Sequence, residues 1–144
     1  MKRPTKKQSL LLLALAVVIL LIYYGQSRDT RELPAGFEQE SVRARAEEIV
    51  ADINSRDYEA VTALTREDLQ GDLNAADLSG SLDDLLDKAG EFQSFDTEQF
   101  SSTTDRETKE AYASAVLKAI YKYEEYTYTV VLDQKLELVA LSVK

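Results

Sequence analysis

The hydrophobic period of this chain changes once, and that change limits the folds open to it. From Phe37 to Gly90 apolar residues recur at three and four, as on one face of a helix. From Phe92 to Val143 they alternate instead, as on a strand with one side buried. Helices first and strands afterwards is an α+β order. The last roughly 110 residues can build one core and are too few for two.

Within the helical half, Val42, Ala46, Ile49, Val50 and Ile53 form one stripe, while Arg43, Arg45, Glu47, Glu48 and Asp52 fill the other side. Asn54-Ser55-Arg56 interrupts the pattern. Asp57 then suits the N-cap of a second helix carrying Tyr58, Val61 and Leu64. Thr65 with Asp68 is spaced like a capping box, continued by Leu69 and Leu73. Asn74 caps a third stretch lined by Leu78, Leu82, Leu85 and Leu86; Gly80 weakens or splits it, and Gly90 stops it.

The strand half begins with Phe92 to Thr103, a curved first strand holding Phe92, Phe95 and Phe100. Glu110 to Tyr121 alternates, with Ala111, Ala113, Ala115, Leu117, Ala119 and Tyr121 on one side. Tyr126 to Leu132 and Leu136 to Val143 follow. With turns near Tyr123-Glu124 and at Asp133-Gln134-Lys135, one face collects Ala115, Leu117, Tyr126, Tyr128, Val130, Leu136 and Leu138. That agreement predicts an antiparallel meander of about four strands.

Ahead of this domain lies a basic head, residues 1–8, with Lys2, Arg3, Lys6 and Lys7, and then an apolar block from Leu10 to Tyr24. Fifteen helical residues rise about 22 Å, short of the roughly 30 Å hydrocarbon layer. Lys6 and Lys7 can snorkel, Tyr23 and Tyr24 suit the opposite interface, and Ser9 and Gly25 extend the span. Residues 9–25 therefore read as an uncleaved transmembrane anchor in the lipid bilayer. The head stays cytoplasmic, because the charges of Arg28, Asp29, Arg31 and Glu32 cancel on the far side. A cleaved secretory signal is the competing reading, with Gly25-Gln26-Ser27 the only tolerable site, and a buried soluble helix comes third. Residues 26–36, with Pro34 and Gly36, read as a tether. The expected localisation is the cell membrane, single-pass, with the 37–144 domain extracellular.

Of the 17 Lys and Arg in the chain the head holds four, so the remainder sets 13 against 26 Asp and Glu. A surface that acidic repels nucleic acid and anionic headgroups, and no nucleic-acid partner is expected. No Cys excludes a lipoprotein anchor and disulfides, which suits an exported bacterial domain. The absence of His and Cys removes imidazole acid–base chemistry, thiol nucleophiles and nearly all zinc sites. No cofactor and no metal is expected.

The run from Ile49 to Val61 resembles the opening of nuclear-transport-factor-2-like domains: a helix, a polar step, then an acidic-aromatic helix start. Ala89-Gly90-Glu91-Phe92-Gln93-Ser94, a Tyr-rich strand, and Val130 to Leu136 are similar to one exported family of that superfamily, domain of unknown function 3887. The resemblance covers about residues 40–144 and implies a cystatin-like cone of sheet over helices, with no assigned activity. Ala140 stands where a Gly is common. The superfamily's steroid isomerases use a pocket Tyr and carboxyl groups, a set that does not map onto this chain residue by residue.

Asp83, Asp84 and Asp87 read as a solvated helix face rather than a calcium site, and Asn54 and Asp57 as caps beside Asp52 and Glu59. Tyr121, Tyr123, Tyr126 and Tyr128 surround one hairpin, with Tyr112 earlier on the sheet, and Tyr112, Tyr121, Tyr126 and Tyr128 read as core, as an interface or as the lining of a ligand pocket. The expected function is a non-enzymatic module that binds an envelope protein, a peptide or a small apolar ligand, or pairs as a homodimer. The alternative is a small carboxylate/Tyr-dependent enzyme with a pocket in the cone. A buried Asp or Glu facing apolar neighbours would mark it, since desolvation raises a carboxyl pKa.

Overall fold

The structure, a computed structural model, describes residues 32–33 and 36–144. The basic head, residues 9–25 and most of the tether lie outside these. Among the described residues no helix is long and apolar enough to cross a membrane.

The chain enters through a two-stranded hairpin, β1 (Glu32–Leu33) against β2 (Phe37–Glu38), which buries Leu33 and Phe37. The end of the stretch read as a tether thus belongs to the folded body. Helix α1 (Gln39–Asn54) starts at Glu38 without a side-chain cap. Its expected stripe, Val42, Ala46, Ile49, Val50 and Ile53, is completely buried against β3, β4 and β5. Each large member contributes about 1.5–3 kcal/mol, whereas a cap is worth about 1 kcal/mol. Packing, not capping, makes this helix.

Helix α2 (Tyr58–Leu64) does begin as predicted: the Asp57 carboxylate accepts from the Ala60 N–H at 3.2 Å. The expected capping box at Thr65 is not formed. The Thr65 hydroxyl instead donates back to the Val61 carbonyl at 2.8 Å, and Asp68 pairs with Arg66 at 2.7 Å. Thr65 is needed by the sheet: it bridges Leu138, and the Arg66 N–H donates to the Leu138 carbonyl. A 3-10 turn (Glu67–Leu69) leads to α3 (Ala75–Ala89), capped by Asn74 through the Asp77 N–H at 3.0 Å. Gly80 does not split α3, because the stripe Leu78, Leu82, Leu86 outweighs the roughly 1 kcal/mol cost of one glycine.

The sheet is a meander, β3 (Phe92–Thr104), β4 (Ala111–Tyr121), β5 (Glu125–Leu132) and β6 (Leu138–Val143), in that spatial order and antiparallel throughout. Every odd residue of β4 from Ala111 to Tyr121 is buried, on the side that carries the three helices. Two bulges in β3 replace its period of two by three, so Phe92, Phe95 and Glu98 face inward opposite Tyr121, Ala119 and Leu117. Those bulges supply the expected curvature. Leu136, expected inside the last strand, sits in the preceding turn at φ +62°. There the Asp133 carboxylate accepts from the N–H groups of Lys135 and Glu137, and that Asx turn outcompetes two further residues of strand.

Candidate functional site

Three of the four singled-out tyrosines meet inside the domain. Tyr121, Tyr126 and Tyr128 project from neighbouring strands beneath the helices, all buried. The Tyr121 hydroxyl donates to Asn54 Oδ1 at 2.5 Å and lies 2.6 Å from the Tyr128 hydroxyl. With Tyr121's proton on Asn54, Tyr128 is the donor to Tyr121. The Tyr126 hydroxyl donates to the Leu85 carbonyl at 2.8 Å, tying β5 to α3. Burial raises the pKa of Tyr121 and Tyr128 above the ordinary phenol value, so both stay neutral at physiological pH. Asn54, read from sequence as a cap, is the acceptor of this chain, and the hydroxyl of Ser55 closes the end of α1 instead.

Tyr112 is elsewhere. It projects from the opposite face of β4, packs with Val131, Val139 and Ala140, and donates to Glu110 near Arg66. It shares no site with the other three.

Above the tyrosine chain, α1 and the start of β3 diverge to leave an open groove of about 320 Å³. Phe92 and Phe95 wall one side, their rings edge-on at 5.1 Å, and Phe92 also meets Tyr121 at 5.5 Å. Ala51, Asn54, Ser55 and Glu47 of the α1 side complete it. Beside it lies the feature that sequence reasoning missed. Glu98, three residues past Phe95, is carried inward by the second bulge, and its Oε2 is buried without a hydrogen bond. Burial, then the nearby Glu47 carboxyl, raises the Glu98 pKa. Arg43 Nε faces that oxygen at 3.4 Å, while its Nη1 bonds Glu40 at 3.1 Å and its guanidinium lies over the Phe100 ring. The spacing of three from Phe92 through Phe95 to Glu98 was the available signal, hidden because strands ordinarily repeat at two.

A second groove, about 500 Å³, opens at the far end among Arg66, Glu67, Glu110, Ala111, Asp133, Gln134, Lys135 and Glu137. Arg66 is already held by Asp68 and stands 3.6 Å from Glu110. Asp83 and Asp87 of α3 are likewise engaged in the fold. Asp83 accepts from Ser79 at 2.5 Å and Tyr58 at 2.6 Å, which lowers its pKa, and Arg56 bonds Asp87 at 2.5 Å. These contacts clasp the α1–α2 corner to α3. Among the described residues no group of three or more acidic side chains is arranged to hold a metal ion.

Three helices on the inner face of a four-stranded meander, with a half-open aromatic groove at one end, define a small α+β domain. Residues 46–141 match the family described as Protein of unknown function (DUF3887), and the chain belongs to that family. The NMR structure of a protein from Ruminococcus gnavus ATCC 29149 is similar at 28% identity, with a TM-score of 0.67, over 78% of this chain and 96% of that one. No curated protein matches.

Proposed function

We propose that this chain is a membrane-anchored, extracytoplasmic binding module without catalytic activity, whose ligand groove lies between α1 and the start of β3. One observation carries the binding reading. Phe92 and Phe95 leave an apolar wall half-open to solvent while polar atoms of Asn54, Ser55 and Glu47 stand across from it. Apolar walls with a few convergent polar groups are the usual make-up of a small-ligand site, and 320 Å³ is at the small end of their range. Tyr121, Tyr126 and Tyr128 fill the interior beneath, which moves the site from the centre of the cone to its mouth. The superfamily reading, a nuclear-transport-factor-2-like cone, is supported by the bulged, inward-curving β3. The anchor reading rests on residues 9–25, and the N-in orientation on the basic head.

A carboxylate/Tyr enzyme is the second reading, and Glu98 is the observation that favours it, as a desolvated carboxyl group. Against it stand the closed position of its Oε2 and the donation of the Tyr58, Tyr121 and Tyr126 hydroxyls to structural acceptors.

Two measurements test the proposal on the full chain. Expressed in bacteria, it should stay in the membrane fraction after alkaline carbonate, with the 37–144 domain open to external protease; recovery from the cytosol would sink the anchor. Small apolar fragments should shift the amide resonances of Ala51, Ser55, Phe92 and Phe95, and fragments that shift only residues elsewhere would refute the groove.

A further inference from the structure

Resting on that groove, we infer that its ligand is a small amphiphilic amine. The apolar body would lie on Phe92 and Phe95, and the ammonium would meet the Glu47 carboxylate. The charge pattern decides this. Glu47 lines the groove and lies within hydrogen-bonding reach of Glu98. Among the described residues, the Arg43 guanidinium at this spot is divided between two carboxyl groups, Glu40 at 3.1 Å and Glu98 at 3.4 Å. Its Nε and the Glu98 Oε2 are both buried, and they face each other without a hydrogen bond. Glu47 and Glu98, beside a cation already divided between Glu98 and Glu40, leave a surplus of negative charge. Either a proton on Glu98, whose pKa is raised, or an incoming cation relieves it. An ammonium entering along the aromatic wall would do so and would also meet the ring faces favourably. A neutral ligand gains only the apolar contact, and an anion is repelled.

The other charged groups nearby do not supply that cation. On α1, Arg45 is paired with Glu48 at 3.2 Å. On β4 the residue opposite Glu98 is Leu117, and Lys118 points to the other face, where it meets Asp96 and Glu125. β1 and β2 bring Leu33 and Phe37 to the core, and Glu38 accepts from Ser41.

Binding should therefore be linked to pH with a definite sign. The raised pKa of Glu98 means that its carboxyl group in the free protein still holds a proton above the ordinary glutamate range. The ammonium must displace that proton, so its affinity rises with pH through the raised titration and a proton is released on binding.

The test uses the full chain in phosphatidylcholine nanodiscs, with amide shifts of Ala51 and Phe95 followed and empty discs as control. The probes are 2-phenylethylammonium, 2-phenylethanol and 3-phenylpropanoate. Near neutrality the ammonium should bind about fivefold tighter than the alcohol, as a partly screened ion pair gives, and the carboxylate weakest. That advantage should shrink as pH falls through the raised Glu98 titration. Glu47→Gln should bring the ammonium down to the alcohol's affinity and leave the alcohol unchanged. Glu98→Gln leaves the Glu47 carboxyl group in place, so ammonium binding should persist and lose the part of its pH dependence that the raised Glu98 titration supplies. Equal binding of ammonium and alcohol at the groove overturns the amine and spares the groove. Failure of all three probes to shift the groove overturns both.

Discussion

A buried hydroxyl is tolerated only with a partner, and the Tyr128–Tyr121–Asn54 chain satisfies two tyrosines with one amide oxygen. The middle member carries most of the energy. Tyr121→Phe leaves the Tyr128 hydroxyl without an acceptor and the Asn54 oxygen without a donor, and should cost about 1–3 kcal/mol. Tyr128→Phe removes one end and should cost about 0.5–1.5 kcal/mol. In the double variant much of the Tyr121 penalty disappears, so its loss should fall short of the sum by at least about 0.5 kcal/mol. Denaturant unfolding of the three variants measures this, and strictly additive losses would mean the hydroxyls do not act as a chain. The sequence offered the tyrosines but not their partners. Asn54 and Tyr121 are 67 positions apart, and nothing local distinguishes an amide that accepts from a distant phenol from one that caps its own helix.

At the level of elements, local chemistry was legible wherever it had no competitor. Asp57 and Asn74 cap the helices they precede, and the alternation of β4 predicted its buried side completely. It failed where a tertiary partner offered more. Thr65 gave up the capping role to bridge β6, and Asp133 captured the turn that shortened that strand. Two glycines make the contrast measurable. Gly90 ends α3 at φ +76°, and a Cβ there would stand 2.9 Å from the Tyr123 ring. Gly80 lies in the same helix with open space around it. Gly90→Ala should therefore destabilise by more than about 1 kcal/mol, from backbone strain and the clash together. Gly80→Ala should stabilise by about 0.5–1 kcal/mol. Thermal melts of the pair decide it, and two changes of the same sign would contradict this account of α3.

Over the whole molecule, cohesion is centred on β4 and β5, which lie inside the sheet under α1 and hold Ala113, Ala115, Leu117, Val130 and Leu132 with no exposed surface. β3 is an edge strand with two interruptions in its first half. Native-state hydrogen exchange should thus show amides of β4 and β5 opening only with global unfolding, and those of residues 92–97 opening earlier. Equal protection across all four strands would refute this ordering. The same loosened end holds the groove, Glu98 and the aromatic wall, so the least braced part of the sheet is the part proposed to bind. The residue pattern alone determined the α+β order, the helix stripes and the buried side of β4, because periodicity and capping act within a few residues of chain. Only the tertiary structure decided that Tyr112 stands apart from Tyr121, Tyr126 and Tyr128, that Asp83 and Asp87 clasp Arg56, and that Glu98 turns inward beside Glu47. Each of those depends on a bulge or a partner tens of residues away, where the local pattern carries no information.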